Sequence, residues 1–479
     1  MAGVAMIFRE YWEQRKLIPT GVWLMLIAYS LVAFGSPMPP KITGLEIVMG
    51  CGLLTGGFLL IGLVIRKIQQ EKSAQWCLGL TALLFLIPLF VGLLRGNALS
   101  DIARDIFPFA FLLLIPIFLT YSTSSDNRAA LRTLVVMVLV FVGICTAVTF
   151  FVGLHNLFGS IDDMVLGMRK GIAQYDITQA TQATQATQAT QATASAIEIQ
   201  RALFLKPFDS AMLFSAIFLS AWGVVLMARS WRGWLPGMLL AGIGAFIAYG
   251  FMILGLRAYT ALFVLAIAAV CLTQLRERGL YIRLLPVFVL ICILFWSQIE
   301  PILQLLWMKQ KLVGANGRVG EWLAVTTTIA ATPQSTLLGI GWGGTFVNPI
   351  YGADSRFTHS MLSFYLLKSG AIGLGMLLTI IGLLLAYSQK IGDRVHMDTS
   401  RLILLISCLP PLLIGVLFEP TYKMLSYGVV LALLNLVGYP SIYGNATIMK
   451  WNQRSQPPSA RLPKLGLIIR ATTPSFWRF

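Results

Sequence analysis

Charged residues are scarce in this chain. Of its 479 residues only 11% are Asp, Glu, Lys or Arg, whereas 57% are hydrophobic, and the mean hydropathy is +0.78. Soluble domains carry about a quarter charged residues, so this composition excludes a protein with water on all sides. Apolar runs of about 15–21 residues recur along the chain, close to the length that a spanning helix needs. The sequence therefore predicts an all-α, polytopic membrane protein with about twelve transmembrane helices and a large helical loop outside the membrane.

Lys and Arg outnumber Asp and Glu, 36 to 19, for a formal net charge of +17. A basic excess can indicate nucleic-acid binding. Here, however, a cytoplasmic N-terminus places most of the basic residues of the short loops in the cytoplasm, which is the positive-inside pattern. We therefore expect cytoplasmic termini and contact with membrane lipids, but no nucleic-acid partner. The predicted spans lie near residues 17–35, 45–65, 77–94, 106–121, 133–153, 212–228, 234–254, 258–275, 284–298, 371–389, 402–417 and 425–442.

Cysteine and histidine are also scarce, with six and three residues. Every cysteine falls in or at the edge of an apolar run without metal-ligand spacing, and the chain contains no Asp-x-Asp pair. We therefore expect no disulfide, no metal and no cofactor.

The spacing of the spans divides the chain into four parts. These are an N-terminal transmembrane bundle at 1–296 with a flexible insert near 159–211, a long outside loop at 297–360, C-terminal transmembrane helices at 361–444, and a basic cytoplasmic tail at 445–479. The insert contains a Thr-Gln-Ala repeat from Thr178 to Thr193, to which we assign no function.

The loop at 297–360 has two amphipathic stretches, Ile302–Leu312 and Val319–Ala331, and the glycine-rich run Gly339–Gly344. That run lacks a preceding strand and a P-loop lysine, so it predicts a turn rather than a nucleotide cradle. Long ordered loops are more often functional than connective.

His359 lies at the end of this loop and opens a helix, whereas His155 and His396 have the settings of interfacial and solvated residues. Eleven positions separate His359 from Gly370, about three helical turns, so both are expected on one helix face. Gly370 and Gly373 form a small patch that a neighbouring helix backbone can approach closely. We expect His359 to lie at the water–lipid boundary.

Other ionisable residues have simpler interpretations. Lys368 is expected to reach the interface and to snorkel. The outside turn after the third span carries Arg95, Asp101, Arg104 and Asp105, which suit either a local salt network or a lipid-headgroup site.

Two arginines accompany His359. Arg257 lies in the break between two spans, and Arg318 begins the second amphipathic stretch. A charge near lipid is costly without a partner, and the alternative for both arginines is snorkelling or a pair with a carboxylate such as Glu321. Arginine binds phosphate through a planar fork, and histidine can take a proton from a hydroxyl. Since nucleotide sugars are absent outside the membrane, the three side chains suit a lipid-carried donor such as a polyprenyl diphosphate sugar.

These residues resemble the O-antigen ligase and polymerase superfamily. The ligase signature is His, then Asn, Ser or Gln, nine residues, Gly, two residues, and Gly, Thr or Tyr. The chain meets it without a gap at His359, Ser360, Gly370 and Gly373. Upstream, the family's approach to the histidine is matched by Arg318, Trp322, Pro333 and Gly339-Ile340-Gly341, and its arginine between two spans by Arg257. Leu256 departs from the small residue that is frequent before that arginine.

The resemblance implies a GT-C type glycosyltransferase of the bacterial inner membrane, with its site at the periplasmic face in the loop at 297–360. The donor would be a glycan on undecaprenyl diphosphate, and the acceptor of a ligase would be a sugar hydroxyl of lipid A–core, with inversion and without a metal. His359 would be the general base, and Arg257 and Arg318 would hold the diphosphate. Further substrate-binding residues would be Ser360, Trp322, Arg356 and Gly341.

An O-antigen ligase is the first expectation. A polysaccharide polymerase or a protein O-oligosaccharyltransferase would use the same donor with another acceptor. A transporter is the alternative of another class, and it predicts charged residues near mid-membrane and broken helices repeated in two halves. The enzymatic interpretation requires His359, Arg257 and Arg318 to converge at the outer leaflet.

Overall fold

The fold is given by a computed structural model. It describes residues 18–34, 44–122, 127–158, 209–229, 233–253, 256–278, 316–349, 352–392 and 399–437. All of these residues belong to one of two units of the chain, which spans 1–439. The second unit, at 440–479, lies outside the described residues, as do the predicted insert and cytoplasmic tail.

The described chain is built from helices and one small hairpin. The helices are α1 (Thr20–Ser30), α2 (Gly44–Gln70), α3 (Lys72–Leu94), α4 (Leu99–Phe109), α5 (Ile115–Tyr121), α6 (Arg128–Phe158), α7 (Ser210–Arg229), α8 (Trp234–Ile253), α9 (Arg257–Arg278), α10 (Asn316–Ala330), α11 (Pro333–Leu338), α12 (Met361–Gly392), α13 (Thr399–Leu417) and α14 (Leu425–Val437). Short helical turns follow α1 at Leu31–Phe34, join α4 to α5 at Ala110–Leu114, and precede α14 at Pro420–Lys423. Strands β1 (Phe346–Asn348) and β2 (Ala353–Ser355) pair antiparallel, with Phe346 opposite Ser355.

The prediction of an all-α polytopic membrane protein is confirmed. Within the described residues, 8 helices are long and apolar enough to cross a membrane, and three shorter apolar helices lie at Thr20–Phe34, Arg257–Thr273 and Leu425–Val437. Each coincides with a predicted span, and the predicted span at 284–298 lies outside the described residues. Large apolar side chains project from the bundle, among them Leu54, Leu94 and Leu235 at 76%, 88% and 80% exposed. Such a surface suits lipid rather than water.

The centre of the bundle is formed by α7 and α14. Helix α7 packs against α6, α8, α9 and α13, and α14 packs against α5, α6, α12 and α13. Every side chain of α14 is buried. The backbones of α7 and α8 meet at Gly223 and Gly237, where a Cβ on either glycine would run into the carbonyl of the other. Small residues at such crossings allow the close packing that holds helices together in lipid.

The described part of the loop at 297–360 folds against the ends of neighbouring helices. The stretch predicted at Val319–Ala331 is confirmed as α10, whereas Ile302–Leu312 lies outside the described residues. Helix α10 and the hairpin share a small apolar core with α12, made of Val325, Ile329, Ile340, Phe346 and Leu367. Helix α11 contacts both α12 and α3. The loop is therefore anchored to two separate parts of the chain, α3 and α12.

The prediction that His359 and Gly370 share a helix face is wrong. Helix α12 begins at Met361, after His359, and Gly370 interrupts it with φ 66° and ψ −166°, a backbone conformation that is open almost only to glycine. The expected close approach at Gly370 does occur, but its partner is the end of α11. A Cβ on Gly370 would meet the backbone of Leu337 and Gly339.

Candidate functional site

A carboxylate on α10 holds the predicted catalytic histidine. Glu321 Oε2 lies 2.5 Å from Nδ1 of His359, and Glu321 Oε1 accepts a hydrogen bond from the backbone N–H of His359 at 2.6 Å. The Glu321 side chain is 3% exposed and that of His359 is 20% exposed. Among the described residues, none bonds to Nε2 of His359. The carboxylate therefore fixes both the position and the orientation of the ring, and Nε2 is the ring nitrogen left for a substrate.

The electrostatics of this pair keep Glu321 ionised. Burial alone raises the pKa of the Glu321 carboxyl, but the hydrogen bonds and charge of His359, with the charge of Arg318, outweigh it and lower the pKa. An ionised carboxylate can only accept hydrogen bonds. In the neutral form of His359, the ring proton is therefore placed on Nδ1, facing the carboxylate, and Nε2 carries the lone pair that a general base needs.

Arg318 lies one turn before Glu321 on α10 and is a third exposed. Its Nη2 lies 3.1 Å from Glu419 Oε1, at the end of α13. The carboxylate that was considered as its partner, Glu321, is instead the partner of His359. A guanidinium has five N–H donors, so one bond to Glu419 leaves donors for an anion beside the histidine.

Arg356 is bound across the chain to the first turn of α4. Its Nη1 lies 2.5 Å from Asp101 Oδ1, with the two side chains 18% and 33% exposed. Its guanidinium also lies 5.5 Å from the centre of the Phe357 ring. Asp101 therefore belongs to an ion pair with the outside loop rather than to a local network. The predicted substrate contact of Arg356 would compete with this pair.

Ser360 has a local structural contact. Its Oγ accepts from the backbone N–H of Ser363 at 3.1 Å, which caps the start of α12, and it is 4% exposed. Thr358 is held on both sides, since Ser363 Oγ donates to its hydroxyl at 2.8 Å and Tyr422 Oη to its carbonyl at 2.8 Å. These bonds fix the backbone that carries His359, and the contact of Ser360 with substrate stays a prediction.

A buried ion pair lies below the site. Lys368 Nζ lies 2.6 Å from Asp105 Oδ2, and both side chains are 0% exposed. Lys368 Nζ also donates to the Gly344 carbonyl at 2.6 Å, and the Gly343 N–H donates to Asp105 at 2.6 Å. The prediction that Lys368 snorkels to the interface is therefore wrong. The pair ties α4 and α12 to the glycine-rich turn.

The two other predicted substrate contacts, Gly341 and Trp322, have different settings. Gly341 (φ 79°) lies against α3 so closely that a Cβ would meet the backbone of Gly92 and Pro88. It has a packing function there, and we do not carry it forward as a substrate contact. Trp322 is half-buried beside Glu321, and its contact with substrate stays a prediction.

Arg257 is the first residue of α9 and is half-buried. Two residues on, Tyr259 is 1% exposed and lies within the electrostatic field of Glu419, the partner of Arg318. The start of α9 is thus placed near the Arg318 pair. The direct approach of Arg257 to His359 stays a prediction.

Sequence reasoning missed the turn between α13 and α14. Glu419 bonds to Arg318, and the ammonium of Lys423 lies 3.7 Å from the centre of the Phe357 ring. Burial lowers the pKa of Lys423 to about 7, against the charges of Asp105 and Glu321, which raise it. A signal was present, because Glu419 and Lys423 flank Pro420 in a very short connection between apolar helices, where charges mark functional positions.

Comparisons of the chain with protein-family models, with curated proteins and with solved structures gave no match.

Proposed function

We propose that this chain is an O-antigen ligase, a GT-C type glycosyltransferase that moves a glycan from undecaprenyl diphosphate to a sugar hydroxyl of lipid A–core. The observation that carries the proposal is the Glu321–His359 pair, in which Nε2 has no partner among the described residues. The charge of Arg318, one helical turn before Glu321, acts on the same carboxylate. A histidine oriented by a carboxylate is the arrangement that activates a hydroxyl. The adjoining guanidinium suits a diphosphate leaving group.

The proposed reaction is a single displacement. The acceptor oxygen forms a bond to the anomeric carbon, the bond from that carbon to the phosphate oxygen breaks on the opposite face, and the hydroxyl proton passes to Nε2 of His359. Glu321 stabilises the imidazolium that results, and the proton then passes to water. Arg318 and Arg257 balance the charge that develops on the diphosphate. Inversion at the anomeric carbon follows from this geometry.

The proposed topology has twelve spans, cytoplasmic termini and a periplasmic site in the bacterial inner membrane. It is supported by the contacts of the site. The distribution of Lys and Arg predicts that three segments, those of Asp101, Arg356 and Tyr422, lie outside the membrane. An ion pair joins the first segment to the second, and a hydrogen bond from Tyr422 joins the second to the third.

A transporter is the second candidate, and one observation favours it. The Lys368–Asp105 pair is an ionisable pair inside two candidate spans, where charges often mark a transport path. Both groups are fully buried, however, and each is also bonded to the backbone of the glycine-rich turn. These contacts are those of a structural clamp.

A lipopolysaccharide gel from a deletion strain tests the proposal. The deletion should remove all long chains from lipid A–core and leave lipid-linked polymer in the membrane. Wild-type protein should restore the chains, and His359→Ala should not, although it inserts at the same level. Capping by single repeats would identify a polymerase, and unchanged lipopolysaccharide would refute the ligase.

A further inference from the structure

Lys423 lies against the segment that carries His359. Its ammonium is 3.7 Å from the centre of the Phe357 ring and 5.9 Å from that of Tyr422. Tyr422 in turn donates to the Thr358 carbonyl at 2.8 Å. The turn Pro420–Lys423 therefore holds the backbone just before His359 on one side and places an amine there.

Two neighbouring cations already have carboxylate partners. Arg356 is paired with Asp101, and Lys368 with Asp105. Lys423 is half-buried, and within the described residues no carboxylate lies within ion-pair distance of it. The charged groups that act on Lys423 from the elements packed around it are Asp105, Glu321, Lys368 and Arg356. The ring of Phe357 offsets part of the cost of burying the charge, but an ammonium without an anion in such a setting is costly.

We propose that Lys423 binds the diphosphate of the lipid-linked donor. This inference rests on the proposed function. The anomeric carbon that the acceptor attacks is bonded directly to the diphosphate, so that group must lie within a few ångströms of the hydroxyl held by His359. Lys423 and Arg318 lie on different segments around His359, and each presents a cation that is not fully neutralised by the protein. Lys423 would bind as a point charge.

The affinity of the site for the donor diphosphate would then depend on pH. With a pKa of about 7, the charged fraction of Lys423 falls roughly tenfold between pH 6 and pH 8, so diphosphate affinity that depends on its charge falls with it. An arginine at this position stays charged at all these pH values. The comparison of lysine and arginine separates this effect from the titration of the diphosphate and of His359.

The experiment measures binding without transfer. Full-length protein in lipid nanodiscs is titrated at pH 6, 7 and 8 with a short-chain polyprenyl diphosphate and, separately, with the matching polyprenyl alcohol. Wild-type protein should bind the diphosphate more tightly than the alcohol at pH 6. Lys423→Met should weaken diphosphate binding at pH 6 by about tenfold to a hundredfold, the range of one charge-assisted hydrogen bond, and leave alcohol binding unchanged. Lys423→Arg should retain binding at pH 8 better than wild type.

Arg104→Met provides the matched control, because Arg104 is an exposed cation of the same outside region and its loss should change nothing. Diphosphate binding by Lys423→Met equal to that of wild type would overturn the role of Lys423 and leave the proposed function standing. If wild-type protein binds the diphosphate no more tightly than the alcohol, the proposed donor and this inference are overturned together. If Lys423→Met fails to fold, equal pH dependence of Lys423→Arg and wild type overturns the inference.

Discussion

Replacement of Glu321 by Gln removes one charge and leaves the shape of the side chain nearly unchanged. Both carboxylate oxygens are used, one by the backbone N–H of His359 at 2.6 Å and one by Nδ1 at 2.5 Å. Glutamine has a single oxygen. If that oxygen keeps the backbone bond, the amide nitrogen faces Nδ1 and donates to it, which moves the ring proton to Nε2. If the amide turns round, two N–H donors oppose each other, at a cost of about 1–3 kcal/mol.

The first arrangement removes the lone pair from Nε2, and the second keeps it only at that cost. We expect kcat for glycan transfer to fall by about 10²–10⁴-fold, the contribution of a positioned general base. The KM for the lipid-linked donor should stay within about threefold, because the Glu321 carboxylate is 3% exposed and faces His359. The assay is transfer by purified, reconstituted protein at saturating acceptor. Glu71→Gln is the control, since it removes a carboxylate from an ion pair with Lys67 at the other end of α3.

A kcat for Glu321→Gln within about threefold of wild type would refute the tautomer argument. Stability offers an independent check with a definite sign. Because the folded-state pKa of Glu321 is lowered, its ionised form contributes stability above its unfolded pKa and loses it as pH falls through the folded pKa. The Tm of wild type should therefore exceed that of Glu321→Gln at pH 7, and the gap should narrow as pH falls below about 4.5.

Three further predictions concern the anchoring of the site. Arg318→Lys should lower kcat/KM for the donor at least tenfold, because a lysine cannot bond to Glu419 and still offer a planar fork to the diphosphate; near-normal kinetics would contradict this. Asp105→Asn should destabilise the protein by about 3–5 kcal/mol by leaving the Lys368 ammonium buried alone, measured as a fall in Tm that a second change, Lys368→Met, partly reverses; additive losses would count against the pair. Gly370→Ala should cost about 1–3 kcal/mol in backbone strain alone, whereas Gly375→Ala, with open space around its Cβ position, should stabilise by about 0.5–1 kcal/mol; equal Tm changes would contradict the strain.

Features that depend on neighbouring residues along the chain were predictable. The spans follow from the length of each apolar run against the thickness of a bilayer, and α10 follows from the amphipathic period of Val319–Ala331. The close approach of another backbone at Gly370 was also predicted, but neither the contacting element nor the positive φ of Gly370 was. The strained backbone of Gly370 and the approach of α11 depend on how the loop folds back.

Partners far apart along the chain were not predictable. Glu321 and His359 are separated by 38 positions, and Arg318 and Glu419 by 101. Hydropathy gives each span a length, and the distribution of Lys and Arg predicts its orientation, but neither carries information on which spans are neighbours. From the sequence alone, each carboxylate between the spans therefore had several possible cationic partners.

The sequence by itself determined the membrane class and the location of most spans, since bilayer insertion depends on the composition of each segment taken alone. Only the tertiary structure decided that Glu321 belongs to His359, that Lys368 is buried against Asp105, and that Lys423 has no carboxylate within ion-pair distance among the described residues. The physical reason is that electrostatic and hydrogen-bond energies fall off within a few ångströms, and packing alone sets those distances.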